Sequence, residues 1–149
     1  MTSPLKVIDL FAGPGGLGEG FSAFSDARGH HPFRIAMSVE KEASAHETLL
    51  LRAFYRQFDP GNAPPEYYGF LRGELGSSPE DQLYKLPKFT REITAARRET
   101  LCLELGKHNA AVDRSLRQIL EKDEDCILIG GPPCQAYSLV GRARRSGIG

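Results

Sequence analysis

One cysteine near the end of the chain carries the strongest chemical signal in the sequence. Cys134 lies in the segment GGPPCQAYS, Gly130–Ser138, after a short apolar run. The two prolines fix two backbone φ angles and remove two N–H hydrogen-bond donors. The thiol of Cys134 is therefore expected to lie on a rigid turn. Most free cysteines are small buried hydrophobic residues, but a core cysteine needs neither this turn nor the arginine-rich loop after it. The pattern therefore predicts a nucleophilic thiol.

A glycine-rich turn near the start of the chain predicts a ligand site. It follows an apolar strand, and Gly13, Gly15 and Gly18 match the pattern G-x-G-x-x-G. Glycine permits tight turns and close approach of a ligand to the backbone. Glu40 follows about twenty residues later, where a carboxylate at the end of a second strand accepts both hydroxyls of a ribose. The structural alternatives are a turn that only joins a strand to a helix, and a carboxylate that only begins the next helix.

An open α/β sheet would bring these residues together, because ligands bind at the carboxyl ends of its strands. Apolar runs predict strands over 5–11, 33–39 and 126–129, and helical spacing of apolar residues predicts helices over 41–58, 88–105 and 109–122. Residues 59–78 are rich in glycine and proline and predict an irregular excursion. Its Tyr67, Tyr68 and Phe70 form either a packed cluster, which we favour, or a binding surface.

The composition excludes several classes of protein. Its 19 Lys and Arg balance 19 Asp and Glu, so any DNA contact must come from local clusters and not from an overall positive field. Three widely spaced cysteines argue against a disulfide framework and a zinc site, and the four histidines lack the spacing of metal ligands. The sequence shows neither a signal peptide nor a membrane span. We expect one cytoplasmic domain without a metal.

Both signals resemble motifs of the cytosine-5 DNA methyltransferases. The segment around Cys134 resembles their nucleophile motif, and residues 7–21 resemble the motif that wraps S-adenosylmethionine. The resemblance implies a Rossmann-like α/β methyltransferase fold, with an incomplete parallel sheet flanked by helices, and a bacterial enzyme of DNA methylation and restriction-modification. It implies cofactor contacts for Asp9, Phe11, Ala12, Gly13, Gly15, Gly16, Leu17, Glu40 and Pro133. It implies DNA contacts for Gln135, Ser138, Arg142 and Arg144.

The implied chemistry is covalent. A Cys134 thiolate would add to carbon 6 of cytosine, which makes carbon 5 nucleophilic enough to take the sulfonium methyl group. Loss of the carbon 5 proton and elimination of the cysteine would complete the reaction. The base must first leave the duplex stack. Residues 139–149 would close over it, with the arginines of that loop on phosphates.

The resemblance covers the two ends of the chain, and we interpret about residues 59–106 as an insertion. The family's Glu-Asn-Val motif, its supporting arginine motif and its recognition domain are absent from the sequence. Lys41 stands where the family commonly has an apolar or aromatic residue against adenine. Asp113 is nearest by spacing to an aspartate that often binds the adenine amino group, although solvation on a helix surface is the more ordinary role. We expect residues 1–149 to be the N-terminal portion of a catalytic domain, inactive alone, which is either a fragment or half of a split enzyme. The expected partners are double-stranded DNA and, for a split enzyme, a second chain that carries the missing motifs and the recognition domain.

Other functions stay open at this point. An NAD-dependent oxidoreductase would use the glycine turn and Glu40 in the same way, but it leaves the Pro-Pro-Cys-Gln sequence unexplained. A non-catalytic cofactor-binding module, which only assists a full-length partner, would have the same fold without the catalytic activity. RNA could replace DNA as the substrate, because the same covalent chemistry serves both.

Overall fold

The chain alternates strands and helices along most of its length. The computed structural model describes residues 3–76, 78, 82–121 and 124–133. No helix in these ranges is both long enough and apolar enough to cross a bilayer. In chain order the elements are β1 (Leu5–Leu10), α1 (Gly16–Ala23), β2 (Phe33–Glu40), α2 (Ala43–Tyr55), α3 (Pro65–Leu71), a 3-10 turn (Pro87–Phe89), α4 (Thr90–Glu99), β3 (Thr100–Cys102), α5 (Asn109–Ile119) and β4 (Cys126–Gly130).

The four strands form one parallel sheet in the order β3-β2-β1-β4. Strand β1 pairs with β2 from Leu5↔Phe33 onward and with β4 from Lys6↔Cys126 onward. Since all four strands run in the same direction, the segments that follow them reach the same edge of the sheet. The predicted α/β class is confirmed, with a Rossmann-like parallel sheet and flanking helices.

The two faces of the sheet are covered by different helices. On one face Ile8, Met37 and Val39 pack with Val112 of α5. On the other face α1 approaches so closely that a Cβ at Gly18 would lie 3.3 Å from the Asp9 carboxylate. A separate helical core centres on the fully buried Phe54 of α2 and joins α2 to α3 and α4. Burial of each such side chain contributes about 1.5–3 kcal/mol, so these contacts fix the helices that support the sheet.

The single helix predicted over 88–105 is wrong. Helix α4 ends at Glu99, because Thr100 adopts extended backbone angles (φ −110°, ψ 117°), and Thr100 begins a strand that pairs with β2 from Ser38↔Thr100 to Glu40↔Cys102. A β-branched residue suits that strand. The sequence did not show it, since three residues are too few for a clear alternating pattern. Strand β3 therefore belongs to the central sheet, although it lies within the stretch interpreted as an insertion.

The glycine- and proline-rich stretch after α2 contains one short helix, α3, which begins with Pro65 in its first turn. Proline is favoured there because the missing N–H has no helical partner in any case. Tyr67 is buried, and its ring lies 5.1 Å from that of Tyr55 and 5.5 Å from that of Tyr68. The packed cluster favoured from the sequence is confirmed for Tyr67 and Tyr68.

Candidate functional site

The turn between β1 and α1 adopts backbone conformations that few side chains allow. Phe11, Gly13 and Gly15 all have positive φ, at 58°, 57° and 89°. A Cβ at Gly15 would also lie only 2.8 Å from the Leu49 side chain. The turn is held to β2 by the Ala12 N–H, which donates to the Val39 carbonyl at 3.0 Å. A non-glycine residue such as Phe11 in this region stores strain of a kind found at functional sites.

Glu40 joins the carboxyl ends of β1 and β2. Its Oε2 accepts a hydrogen bond from the Gly13 N–H at 2.8 Å, and its Oε1 accepts one from the Glu42 N–H at 2.7 Å. A carboxylate offers about four acceptor positions, so each oxygen keeps capacity for a ligand hydroxyl. Glu40 can therefore hold the glycine turn and accept hydrogen bonds from a diol at the same time.

A cavity of about 210 Å³ opens between these segments at the carboxyl ends of the strands. Its walls are largely apolar, with the Glu40 carboxylate as a directed acceptor group, and this combination suits a ligand with a flat heterocycle and a ribose. The end of β2 and the segments that follow each of the four strands contribute to it. The lining residues are Phe11, Gly13, Val39, Glu40, Lys41, Leu103, Glu104, Leu105, Gly131 and Pro133.

A second, more open cavity of about 490 Å³ lies beside β4, and Phe11 separates it from the first. Its apolar walls include Leu17, which is 51% exposed, and Leu128, which is 66% exposed. Strand β4 touches β1 so closely that a Cβ at Gly130 would lie 2.0 Å from the Leu10 carbonyl oxygen. In the described part of the chain β4 pairs with β1 alone, which leaves its outer edge and Leu128 open to a partner.

The predicted cofactor residues fall at different places around this edge of the sheet. Phe11, Gly13, Glu40 and Pro133 come together around the 210 Å³ cavity. Leu17 lines the neighbouring cavity, Gly15 caps α1, Gly16 begins it, and Ala12 is buried. The predicted nucleophile and DNA contacts, Cys134, Gln135, Ser138, Arg142 and Arg144, lie outside the described residues.

Asp9 is the predicted residue with the least expected environment. It is 1% exposed, and neither carboxylate oxygen completes a hydrogen bond. Burial raises the pKa of Asp9 above its ordinary value, and the Gly18 amide and the Arg56 guanidinium lower it by less. Asp9 thus lies beneath the glycine turn and is not part of the cavity wall.

Three cavity residues after β3 were missed by sequence reasoning. Leu103, Glu104 and Leu105 were assigned to a helix, although the alternation of leucines at 101, 103 and 105 is the period of a strand. The Glu104 carboxylate accepts a bond from Lys107 at 2.9 Å, and this bond holds its pKa below the usual range. Asp113 is exposed on α5 and does not line the cavity.

A third cavity, of about 370 Å³, is lined by the amino-terminal end of β2, the second half of α1 and the residues around the end of α2. There the Arg56 guanidinium forms ion pairs with Glu19 and Glu99. Burial raises the pKa of Glu99. No group of three or more histidine, cysteine, aspartate or glutamate residues within the described ranges is arranged to hold a metal ion.

Comparison with known proteins finds similarity to two proteins that carry the same class name. No protein-family model and no solved structure matches the chain. It is 34% identical over 151 residues to a type II methyltransferase of Bacillus paralicheniformis, in an alignment that covers 93% of the chain and 32% of the relative. It is 38% identical over 152 residues to a protein of Oceanobacillus iheyensis named as a candidate type II methyltransferase, with 97% of the chain and 21% of the relative covered. The chain is therefore similar, over nearly all its length, to about a third and a fifth of two proteins named as type II methyltransferases.

Proposed function

We propose that the chain is part of a methyltransferase that binds S-adenosylmethionine and methylates carbon 5 of cytosine in DNA. The observation that carries the proposal is the hydrogen bond from the Gly13 N–H to Glu40, two residues that line the same cavity as Pro133. Pro133 immediately precedes Cys134 in the sequence. The two bacterial relatives, both named as type II methyltransferases, support the general class of reaction.

The residues present fit S-adenosylmethionine. Glu40 keeps an acceptor position on each oxygen for the two ribose hydroxyls. Phe11, Val39 and Leu103 offer apolar contact to the adenine ring. The space around Gly13 is open, since an added Cβ there would meet no atom within 4 Å, and this leaves room for the methionyl part. When bound, the cofactor supplies a methyl group on a positively charged sulfur.

Cys134 is the proposed nucleophile. Its thiolate forms a bond to carbon 6 of a cytosine that has left the duplex stack. Electron density moves to carbon 5, which would take the methyl group from the sulfonium and leave a neutral thioether. A base, either water or a group of the additional polypeptide, would then accept the carbon 5 proton. The electrons of that C–H bond would form the carbon 5–carbon 6 double bond again and expel the thiolate. Gln135 and Ser138 are proposed to contact the base and its backbone. Arg142 and Arg144 are proposed to pair with phosphates.

The proposed activity needs more polypeptide than the 149 residues, because the chain spans only 32% and 21% of the relatives it matches. We propose that this polypeptide, on the same chain or on a second one, packs against the outer edge of β4. Leu128 and Leu17 expose about half or more of their surface there, and apolar exposure of this kind marks an interaction surface. In bacteria the assembled enzyme would act on DNA in the cytoplasm.

Calorimetric titration of the 149-residue chain with S-adenosylmethionine and with NAD tests the cofactor. Binding of S-adenosylmethionine that is lost in Glu40→Ala and kept in Glu47→Ala, an exposed acid on α2, would support the proposal. Binding of NAD without S-adenosylmethionine would favour an oxidoreductase instead.

The covalent step is tested with duplex DNA that contains 5-fluorocytosine, since fluorine at carbon 5 cannot leave as a cation and the enzyme remains attached to the base. With the assembled enzyme, failure of Cys134→Ser to abolish that attachment would contradict the role of the thiol.

A further inference from the structure

Asp9 places a buried negative charge directly beneath the glycine turn. It is 1% exposed, lies in the middle of β1 and faces α1, where a Cβ at Gly18 would come within 3.3 Å of its Oδ2. Both oxygens lack a complete hydrogen bond. A buried carboxylate whose oxygens are incompletely hydrogen-bonded is costly to keep, and neither the diol contact proposed for Glu40 nor the thiol chemistry uses it.

The position of Asp9 matters because a helix begins at this turn. Helix α1 starts at Gly16 with Gly15 as its N-cap, and no side chain caps it by a hydrogen bond. Free N–H groups and the helix dipole give such an end a charge of roughly +0.5, which attracts phosphates and other anions. Gly18 belongs to this first turn, and its amide is the donor that most stabilises the Asp9 charge. When Asp9 is ionised, its full negative charge outweighs the partial positive charge of the helix end.

The other charged groups around Asp9 do not cancel this effect. Helix α2 contributes Arg56, which also pairs with Glu19 of α1 and Glu99 of α4. Strand β2 contributes Arg34, which acts on Glu99. Arg56 is therefore shared among Asp9, Glu19 and Glu99 and does not neutralise Asp9 alone. Arg52 of α2 lies beside the Gly15 N-cap, but it is not among the groups that shift the pKa of Asp9.

We propose that Asp9 is a specificity-determining residue that makes the glycine turn select a cationic ligand over a phosphate-bearing one. The inference rests on the proposed function and extends it. The sulfonium of S-adenosylmethionine is favoured by the buried charge, whereas the pyrophosphate of a dinucleotide is repelled by it. The same G-x-G-x-x-G turn serves dinucleotides elsewhere, and here the charge behind it reverses that preference.

Calorimetry on the full 149-residue chain tests the proposal with three ligands of graded charge. S-adenosylmethionine and S-adenosylhomocysteine share their shape apart from the methyl group, but only the first carries the sulfonium, and NAD carries a pyrophosphate. We expect Asp9→Asn to lower the affinity for S-adenosylmethionine about three- to tenfold and to change the affinity for S-adenosylhomocysteine less than about twofold. The affinity for NAD should rise. Asp59→Asn, which neutralises an exposed aspartate after α2, should change none of the three.

The unmodified chain provides a second test that does not depend on a variant. As the pH falls through the pKa of Asp9, the carboxyl group becomes neutral, and the affinity ratio of S-adenosylmethionine to S-adenosylhomocysteine should fall with it. Glu99 also has a raised pKa, and Asp9→Asn separates the titration of the two groups. If Asp9 is responsible, the affinity ratio should become nearly independent of pH in this variant. Equal changes for both ligands would make Asp9 a purely structural residue and overturn this inference alone. Binding of neither ligand by the unmodified chain would overturn it together with the proposed function.

Discussion

The Gly13 N–H donates a hydrogen bond of 2.8 Å to Oε2 of Glu40, and this bond fixes the glycine turn against the end of β2. Gly13 follows β1 and Glu40 ends the neighbouring parallel strand β2, so the bond joins two segments that line the same cavity. A charged acceptor makes it stronger than a neutral backbone bond. The turn is consequently ordered before a ligand arrives, which reduces the entropy lost on binding.

The first prediction concerns Glu40. Glu40→Ala removes the tie to Gly13 and the acceptors for two hydroxyls, and hydrogen bonds to charged groups contribute about 1.5–3 kcal/mol each. We expect the affinity for S-adenosylmethionine to fall at least about tenfold, because each 1.4 kcal/mol changes it by that factor. Calorimetric dissociation constants measure the effect. An unchanged affinity would show that the ligand does not contact Glu40.

The second prediction compares two adjacent glycines. A Cβ at Gly130 would lie 2.0 Å from the Leu10 carbonyl oxygen, whereas one at Gly131 would come no closer than 3.9 Å to the backbone of Phe11. Gly130→Ala should therefore lower the free energy of unfolding by about 1–3 kcal/mol through overpacking. Gly131→Ala should change it by no more than about 0.5 kcal/mol. Urea unfolding of the two variants decides the matter, and equal losses would mean that β1 and β4 are not in this register.

The third prediction is a pH dependence of stability. Since burial raises the pKa of Asp9, the folded chain holds this proton more tightly than the unfolded chain, and the cost of the charge grows as pH rises from the ordinary carboxyl pKa through the raised one. Asp9→Asn should therefore stabilise the fold at neutral pH and lose that advantage in acid. Thermal unfolding of the variant and the unmodified chain, at neutral pH and in acid, measures this difference in stability. A variant less stable than the unmodified chain at neutral pH would show that the carboxylate is better satisfied than its surroundings indicate.

The sequence predicted the parts of the fold that have long or well-bounded patterns. Three strands were recognised because apolar runs end at Phe11, Glu40 and Gly130, and the glycine turn was recognised from its spacing. Strand β3 was missed because its three residues follow a helix without a break, and the pairing with Ser38 that makes it a strand is a tertiary contact. For the same reason the sequence did not predict that Leu103, which follows β3, lines the cavity. The burial of Asp9 could not be read from one strand either, since it depends on the approach of α1.

The fourth prediction concerns the open edge of β4. Leu128→Glu places a charge on a side chain that is 66% exposed, so the fold of the 149 residues should be little affected, while a partner that covers this side chain would have to bury the charge at a cost of several kcal/mol. Leu71→Glu is the matched control, because Leu71 is 55% exposed on α3, away from that edge. The proposed additional polypeptide can be supplied as a second chain, the part of the Bacillus paralicheniformis relative that lies outside the alignment. Methyl transfer from labelled cofactor to duplex DNA should appear on mixing and fail with Leu128→Glu alone, although the Leu128→Glu chain still binds S-adenosylmethionine. Equal activity of the two leucine variants would mean that the added polypeptide packs elsewhere.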